Sequence, residues 1–443
     1  MAILNPQTLQ FVRRHQDDDV RQLALRGTKD PAVDLTLALQ QIAGRQTARR
    51  KLPSWAAAED IVYPPHLNME QCSSEQTARY KAALVDSLTA ESVNGKSVNS
   101  KSVNSKSVNS KSVNSKSVNS KSVNSKFVDL TGGFGVDFYW MSRGFRQRIY
   151  VEQSEALCLL AEHNFKALAH DCSVCCCTTA TFLPTIDHAD VIFLDPARRD
   201  EHGGRTYGIA DCTPNVLELL PLLLTKSDYV VLKLSPMLDW RKACRDLRCV
   251  SQVHIVSVGG ECKELLLVLC AQPSPTLRLI CASDGSTFET RCELPAGDTT
   301  ASQAEAVPAS QADAVPASQA DAAPTCLLEP NASVMKAGCF DELERRFGIA
   351  QIAPNSHLFL APEDVADFPG RRFSISAATP MNKGLLRRAM AGIKQANIAV
   401  RNFPLTAAEL RKKLRLKDGG DIYIFATTTR DGCHKLFICR KIG

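Results

Sequence analysis

The sequence lacks any apolar run long enough to span a membrane. Its first residues, MAILNPQTLQFVRRHQDDD, contain no apolar segment typical of a signal peptide. We therefore expect neither a membrane protein nor a secreted one. The chain has 17 cysteines, but they are scattered or adjacent, as at 175–177, rather than arranged as the framework of a small disulfide-rich domain. This usage predicts reduced thiols and a cytoplasmic protein.

A metal-binding pattern is missing as well. Cys172 and Cys175 have the spacing of zinc ligands, but no second cysteine pair and no histidine partner accompanies them. The sequence therefore predicts no metal site.

The positive charge is concentrated near the C-terminal end. A chain of 443 residues is too long for one hydrophobic core, so two to four domains are expected. The net charge is +6, yet residues 371–443 hold 16 Lys and Arg against four Asp and Glu, a local balance of +12. A basic module on a body whose charge sums to −6 predicts a polyanionic partner.

Two low-complexity tracts interrupt the chain. SVNGK at 92–96 is followed by six copies of SVNSK that end at Lys126, and each copy has one Val and no aromatic residue. Such a repeat cannot bury enough apolar area to offset the entropy of ordering it, although a basic tether that holds RNA is the functional alternative. The second tract, 301–324, has Pro every eight residues, which prevents a long helix. Both are predicted to be linkers.

The segments between the linkers differ in pattern. Residues 1–90 show apolar residues at helical spacing, with a helix start signal at 73–76. The basic stretch GRQTARRKLPSW (44–55) either contacts nucleic acid or forms a solvated helix end with a buried Trp55. The predicted parts are a helical N-terminal region (1–90), the repeat linker (91–126), an α/β domain (127–272), a second linker (273–325), a small unit (326–370) and a basic domain (371–443).

The α/β prediction rests on alternation along 127–272. FVDL, RIYVE, VIFLD and YVVLKL are typical of buried strands, while EALCLLAEHNFKAL and PNVLELLPLLL are typical of helices between them. This order predicts a mostly parallel sheet with helices on both faces.

A glycine-rich turn follows the first of these strands. In FVDLTGGFGVD the glycines stand at 132, 133 and 135, where they would let a ligand approach the backbone. A dinucleotide-binding G-x-G-x-x-G motif would need glycine where Phe138 stands, which disfavours an NAD dehydrogenase. The alternative pattern is Asp129, Thr131, Gly133 and Gly135, the first motif of class I methyltransferases, in which the acid attracts the cationic end of S-adenosylmethionine.

The ends of the next strands carry further polar residues. Glu152 ends RIYVE, where a carboxylate can accept hydrogen bonds from both ribose hydroxyls. Asp195-Pro196-Ala197-Arg198 follows VIFL at the edge where ligands of open α/β sheets bind. Methyltransferases that act on exocyclic amines have an aromatic residue in this motif; here Arg198 stands instead, and it can stack on a base or bind phosphate. The alternative is a strand-end turn with surface arginines. No residue is assigned to the adenine.

Three other residues allow two interpretations. Cys212 is either a nucleophile or a small buried residue. Lys233 and Asp239, which flank the strand YVVLKL, are either active-site residues or ordinary charges at a strand end.

Five stretches resemble the bacterial family of class I S-adenosylmethionine-dependent methyltransferases with a THUMP-like C-terminal domain: VDLTGGFGVD, FLDPARRD, DCTPNVLELL, LKLSPMLDW and RNFPLTAAELRKKLRLKDGGDIYIF. The resemblance implies a Rossmann-like seven-stranded fold over 127–272, a ferredoxin-like unit near 326–369 and a terminal module similar to the RNA-binding THUMP domain. The predicted cofactor-binding residues are Asp129, Thr131, Gly132, Gly133, Gly135, Asp137 and Glu152. The predicted catalytic residues are Asp195, Pro196 and Arg198, and the predicted substrate-binding residues are Arg199, Lys233, Arg387 and Arg388.

The sequence thus predicts a methyltransferase that uses S-adenosylmethionine and modifies a base in tRNA or rRNA, with neither DNA nor a membrane as partner. Two alternatives stay open. The first alternative is a small-molecule or protein methyltransferase with the same fold. The second is a non-catalytic RNA-binding protein that kept the fold.

Overall fold

The computed structural model describes residues 4–95, 125–198, 208–293 and 325–442. These form two compact units, one of residues 1–252 with 266–275 and one of residues 253–265 with 276–443. The division falls within the strands β8 (Val250–Val258) and β9 (Glu261–Leu269).

The first unit begins with six helices and continues as alternating strands and helices. The N-terminal helices are α1 (Pro6–His15), α2 (Val20–Arg26), α3 (Leu35–Lys51), α4 (Pro53–Ala57), α5 (His66–Gln71) and α6 (Glu75–Gly95). The later helices are α7 (Val136–Met141), α8 (Glu155–Ala167), α9 (Thr179–Phe182), α10 (Val216–Lys226) and α11 (Trp240–Leu247). The strands are β1 (Lys126–Asp129), β2 (Gln147–Glu152), β3 (Ser173–Cys176), β4 (Ala189–Leu194), β5 (Ala197–Arg198), β6 (Cys212–Thr213) and β7 (Ser227–Leu234).

Five strands that belong wholly to the first unit lie side by side in the order β7-β4-β1-β2-β3. The pairs β1–β2, β1–β4, β2–β3 and β4–β7 are parallel. Phe127 and Val128 of the central strand are fully buried, and each buried side chain of this size stabilises the fold by about 1.5–3 kcal/mol. The mostly parallel sheet predicted from the alternating pattern is confirmed.

The strand register brings the carboxyl ends of the parallel strands to one edge. Asp129, the last residue of β1, lies opposite Tyr150 of β2 and Phe193 of β4. Glu152 ends β2, and Asp195 follows β4 directly. The motifs that the sequence singles out therefore meet at the edge where open α/β sheets bind ligands.

The N-terminal helices pack on this α/β layer within the same unit. Asn164 of α8 exchanges two hydrogen bonds of 2.9 Å with the backbone of Val62. Trp55 is fully buried, and its ring lies 5.0 Å from the ring of Phe134 in the glycine turn. Of the two interpretations of the stretch 44–55, burial of its tryptophan is the one observed.

The second unit contains a hairpin and a larger mixed sheet. The hairpin is β10 (Thr276–Ser283) with β11 (Ser286–Glu293). The strands of the sheet are β12 (Cys326–Pro330), β13 (Ala350–Gln351), β14 (Phe359–Ala361), β15 (Gly370–Pro380), β16 (Asn397–Arg401), β17 (Ile422–Thr428) and β18 (His434–Ile442). They lie in the order β13-β14-β12-β15-β18-β17-β16. The helices of this unit are α12 (Ala332–Ala337), α13 (Phe340–Phe347), α14 (Lys383–Ala389) and α15 (Ala407–Leu414).

Two features differ from the predicted organisation. The prediction of a linker over 273–325 is wrong for 276–293, because TLRLICAS forms a mostly buried strand and the Asp284-Gly285 turn, with φ of 45° and 88°, closes a two-residue hairpin. The small and basic parts predicted at 326–370 and 371–443 contribute strands to one sheet, since β12 pairs with β15. Most of the SVNSK repeat and all of 301–324 lie outside the described residues.

No helix among the described residues is both long enough and apolar enough to cross a membrane.

Candidate active site

The turn between β1 and α7 requires glycine for two different reasons. Gly133 and Gly135 have φ of 57° and 85°, in the left-handed region that side chains rarely adopt. At Gly132 a Cβ atom would lie 2.1 Å from the Tyr150 ring, so only glycine fits beneath that ring. The Tyr150 hydroxyl in turn donates a hydrogen bond of 2.6 Å to the carbonyl of Gly133. The turn is thus held in one shape by the neighbouring strand.

Two strand-end carboxyl groups bind the backbone of this turn. Oδ1 of Asp129 accepts a hydrogen bond of 2.9 Å from the Thr131 amide. Glu152 accepts from the Gly133 amide at 2.9 Å and, through its other oxygen, from the Ser154 amide at 2.8 Å. Each Glu152 oxygen keeps a second lone pair, and the side chain is partly exposed, so further donors can reach it.

Asp129 is much less accessible than Glu152. Only 1% of its surface is exposed. Burial raises the pKa of the Asp129 carboxyl well above its ordinary value, the Thr131 amide opposes this, and the nearby carboxyl groups of Asp137, Asp195 and Glu152 add to it. Asp129 therefore holds the turn through the Thr131 amide and is itself covered by protein. A cation bound nearby would favour the ionised form of its carboxyl group.

The residue after β4 is connected to the turn through Thr131. The Asp195 amide donates a hydrogen bond of 2.6 Å to the Thr131 hydroxyl. The Asp195 carboxylate lies 2.6 Å from the Lys233 ammonium, and its side chain is 38% exposed. Enclosure by protein on its other sides raises the pKa of Asp195, although Lys233 opposes the rise. A carboxylate fixed by a lysine thus reaches solvent beside the glycine turn.

The other residues of the Asp195-Pro196-Ala197-Arg198 motif are also described. Pro196 is buried, and Ala197 and Arg198 pair with Thr213 and Cys212 in a short antiparallel ladder. Cys212 is 3% exposed, as expected for a small buried residue. Arg199 lies outside the described residues.

Asp137, which is predicted to bind the cofactor, lies in the first turn of α7 and joins a buried ion cluster. Its carboxylate lies 3.1 Å from the Lys81 ammonium and 3.4 Å from the Lys233 ammonium, and it accepts a hydrogen bond of 2.7 Å from the Ser73 hydroxyl. Burial alone would raise the pKa of Asp137, but the two ammonium groups and the Ser73 hydroxyl outweigh it and lower the pKa. We name Ser73, Lys81, Asp137, Lys233 and Asp195 the buried ion cluster.

Sequence reasoning missed Ser73 and Lys81, although a signal for the lysine is present. Lys81 is fully buried on the apolar face of α6, between Ala78 and Val85, which are also fully buried. A lysine at core spacing in an amphipathic helix is unusual, because a buried ammonium needs a partner. The position of Lys81 on the apolar face of this helix therefore predicts a buried lysine with an acidic partner.

The other predicted residues belong to different elements of the two units. Lys233 joins the ion cluster, whereas Asp239 caps α11 by accepting a hydrogen bond of 2.8 Å from the Arg241 amide. Arg387 and Arg388 lie in the second unit, exposed on α14.

Comparisons with known proteins agree with this architecture. Residues 370–441 match a family model described as THUMP domain-like, and residues 327–369 match one described as a ferredoxin-like domain. A search of curated proteins finds no match. The crystal structure of a candidate methyltransferase from Porphyromonas gingivalis W83 is similar over 100% of both chains, with 26% sequence identity and a TM-score of 0.76.

Two other solved structures are similar over a part of the chain. A SAM-dependent methyltransferase from Agrobacterium tumefaciens has 14% identity and a TM-score of 0.26, and the match covers 35% of this chain and 58% of that one. TrmK of M. capricolum, in complex with S-adenosyl-homocysteine, has 8% identity and a TM-score of 0.27, covering 36% of this chain and 64% of that one. The resemblance predicted from the five sequence stretches is confirmed: the chain has a methyltransferase fold with a THUMP-like domain at its C-terminal end.

Proposed function

We propose that this protein is an S-adenosylmethionine-dependent methyltransferase that modifies a base in structured RNA, either tRNA or rRNA. One observation carries the proposal: the glycine turn, held by Asp129 and Glu152, adjoins a lysine-bound carboxylate at Asp195 on the same sheet edge. This arrangement supports a cofactor site and an acceptor site next to each other.

The chemistry of the edge fits the proposed cofactor. Glu152 has lone pairs left for two ribose hydroxyls, and a Cβ atom at Gly133 would meet no atom closer than 3.9 Å, so the space above this glycine is open. When bound, S-adenosylmethionine supplies the methyl group. Gly133 and Glu152 are the residues that would contact it, and Asp129 would hold the turn beneath it through the Thr131 amide.

Asp195 is the residue that we propose to bind the methyl acceptor. Its exposed carboxylate can accept a hydrogen bond from an N–H or O–H group and so hold the acceptor atom in line with the methyl group. Catalysis would then consist mostly of positioning. The aromatic residue of exocyclic-amine methyltransferases is absent from the motif, so the atom that receives the methyl group is left open.

A pair of glycine substitutions tests the cofactor site. Gly133→Ala is expected to raise the Kd for S-adenosylmethionine at least about tenfold, because the new methyl group enters the open space above the turn. Gly259 in the β8–β9 turn is the matched control, since its φ is 61° and nothing lies within 4 Å of its Cβ position. Both alanines carry the same left-handed strain of about 1–2 kcal/mol. Equal Kd values for the two variants in calorimetry would argue against cofactor binding over Gly133.

The charge of the C-terminal part supports RNA as the substrate. Residues 371–443 carry a balance of +12, and Arg387 and Arg388 are exposed on α14. Phosphate contacts by such residues would give an affinity that falls with salt. The match to a THUMP domain-like family model over 370–441 also supports this substrate class.

Neutralising two arginines tests RNA docking. The variant Arg387→Gln/Arg388→Gln is expected to weaken RNA binding and to reduce the slope of log K against log salt by about 0.7–0.9 for each phosphate that the variant no longer neutralises. Arg13→Gln/Arg14→Gln is the control, because these are also adjacent exposed arginines of a helix. This substitution is preferable to deleting 371–443, which would remove nearly all of β15, a strand that pairs with β12. An unchanged RNA affinity and salt slope in the first variant would mean that Arg387 and Arg388 do not dock RNA.

The function as a whole is tested by methyl transfer. Radiolabelled S-adenosylmethionine and total RNA from a strain that lacks this protein should yield labelled RNA, and mass spectrometry of its nucleosides would identify the product. Binding of RNA without binding of S-adenosylmethionine would instead favour a non-catalytic RNA-binding protein.

A further inference from the structure

We propose that Lys81 and Ser73, which belong to the N-terminal helical region, are positioning residues for methyl transfer. They act on Asp195 through Asp137 and Lys233. The inference rests on the proposed function in one respect, since Asp195 is taken as the residue that binds the acceptor.

The contacts form an unbroken polar path from the N-terminal region to the acceptor side. The Lys81 ammonium donates to the Ser73 hydroxyl at 3.0 Å and lies 3.1 Å from the Asp137 carboxylate. Asp137 lies 3.4 Å from the Lys233 ammonium, which lies 2.6 Å from Asp195. The Asp195 amide then binds Thr131 in the glycine turn. One path thus links α6 with both halves of the proposed site.

The residues of this path become more exposed to solvent from Lys81 toward Asp195. Lys81 is fully buried, Asp137 and Lys233 are each 8% exposed, and the Asp195 side chain is 38% exposed. The buried end of the path, at Lys81, is enclosed by protein. Its other end, at Asp195, is the part that a substrate can reach.

The charges explain why Lys81 matters to Asp195. The cluster holds two ammonium groups and two carboxylates. Without Lys81, Asp137 and Asp195 would compete for the Lys233 ammonium, which would move toward the more deeply buried Asp137. Asp195 would then lose the contact that fixes its carboxylate.

Stability alone gives little reason for a lysine at this place. A buried ion pair is often no more stabilising than apolar residues of similar volume, and the flanking residues on this face of α6, Ala78 and Val85, are apolar. Fixed geometry at Asp195 is what the lysine adds.

A double-mutant cycle tests the path. Lys81→Met and Asp137→Asn are each expected to lower kcat for methyl transfer by about tenfold to 100-fold, because the acceptor is misplaced. The double variant should be no worse than Asp137→Asn alone, since both residues act on one path. The Kd for S-adenosylmethionine should stay within about threefold of the wild-type value, less than 1 kcal/mol. Wild-type kcat in a folded Lys81→Met protein would overturn the inference.

Two further variants separate positioning from folding. Ser73→Ala removes one hydroxyl from Asp137 and leaves the charges in place, so it is expected to fold and to lower kcat with little change in KM. Lys51→Met is the matched control, because Lys51 also lies in the N-terminal region and donates to the carbonyls of Met69 and Glu70 at 2.8 and 2.7 Å. It should lose stability and keep kcat. If Ser73→Ala keeps kcat, or if Lys51→Met lowers kcat as much as Ser73→Ala does, Ser73 has no positioning role.

A spectroscopic readout does not depend on the reaction. The Lys233 ammonium should give a slowly exchanging ¹⁵N resonance, assigned by its loss in Lys233→Met. Ser73→Ala and Lys81→Met should shift it, whereas Lys51→Met should not. A protein that transfers no methyl group but shows these shifts contradicts the proposed function and keeps the path. An active protein in which the resonance and kcat do not respond to Ser73→Ala or Lys81→Met contradicts the path alone.

Discussion

Replacing Asp195 with alanine is expected to lower kcat for methyl transfer by about 10²–10⁴-fold, because the acceptor loses its hydrogen-bond partner and its orientation. The Kd for S-adenosylmethionine should change by less than about tenfold, or 1.4 kcal/mol, since the glycine turn keeps Asp129 and Glu152. Single-turnover transfer to RNA and calorimetry measure the two effects separately.

The control for this substitution lies on β4, the strand that Asp195 follows. Asp190→Ala removes a carboxylate near the start of β4, where it accepts a hydrogen bond of 2.6 Å from the Lys126 amide. It should cost about 1 kcal/mol of stability and leave kcat unchanged. If Asp195→Ala retains wild-type transfer, the assignment of the acceptor site is wrong.

Replacing Glu152 with alanine is expected to raise the Kd for S-adenosylmethionine by about 100-fold, or 2.7 kcal/mol. The alanine removes the acceptor proposed for the ribose hydroxyls and also frees the amides of Gly133 and Ser154, so the turn loses an anchor. Hydrogen bonds to a charged group are worth about 1.5–3 kcal/mol each, which is enough for this effect.

Glu155→Ala provides the comparison for Glu152. Glu155 is exposed in the first turn of α8, only three residues further along the chain. Its removal should leave the Kd within about twofold, less than 0.5 kcal/mol. Similar Kd values for Glu152→Ala and the wild-type protein would mean that the cofactor does not bind at the end of β2.

Short-range patterns in the sequence were sufficient to predict the sheet. FVDL, RIYVE, VIFLD and YVVLKL are mostly apolar runs, and the structure has β1, β2, β4 and β7 at these places. Parallel strands share one edge, so the nearness of Asp129, Glu152 and Asp195 followed from topology rather than from any one motif. Their roles in binding and catalysis stay predictions.

Contacts between distant segments could not be predicted in this way. Nothing in VDFYW indicates that Asp137 turns toward α6, because its partners Ser73 and Lys81 lie 64 and 56 residues earlier in the chain. The burial of Asp129 has the same origin, since it depends on how the turn folds over the strand end. The β10–β11 hairpin was different, because its Asp-Gly turn and alternating residues are a local signal that went unused.

The most direct test is a calorimetric titration of the full-length protein with S-adenosylmethionine. We predict one binding site for each chain, with a Kd in the micromolar range, about −8 kcal/mol, and binding weakened by Glu152→Ala and Gly133→Ala but not by Glu155→Ala. A folded wild-type protein that binds no S-adenosylmethionine at about 1 mM ligand, where even 4 kcal/mol of affinity would be detected, would contradict the proposed cofactor site.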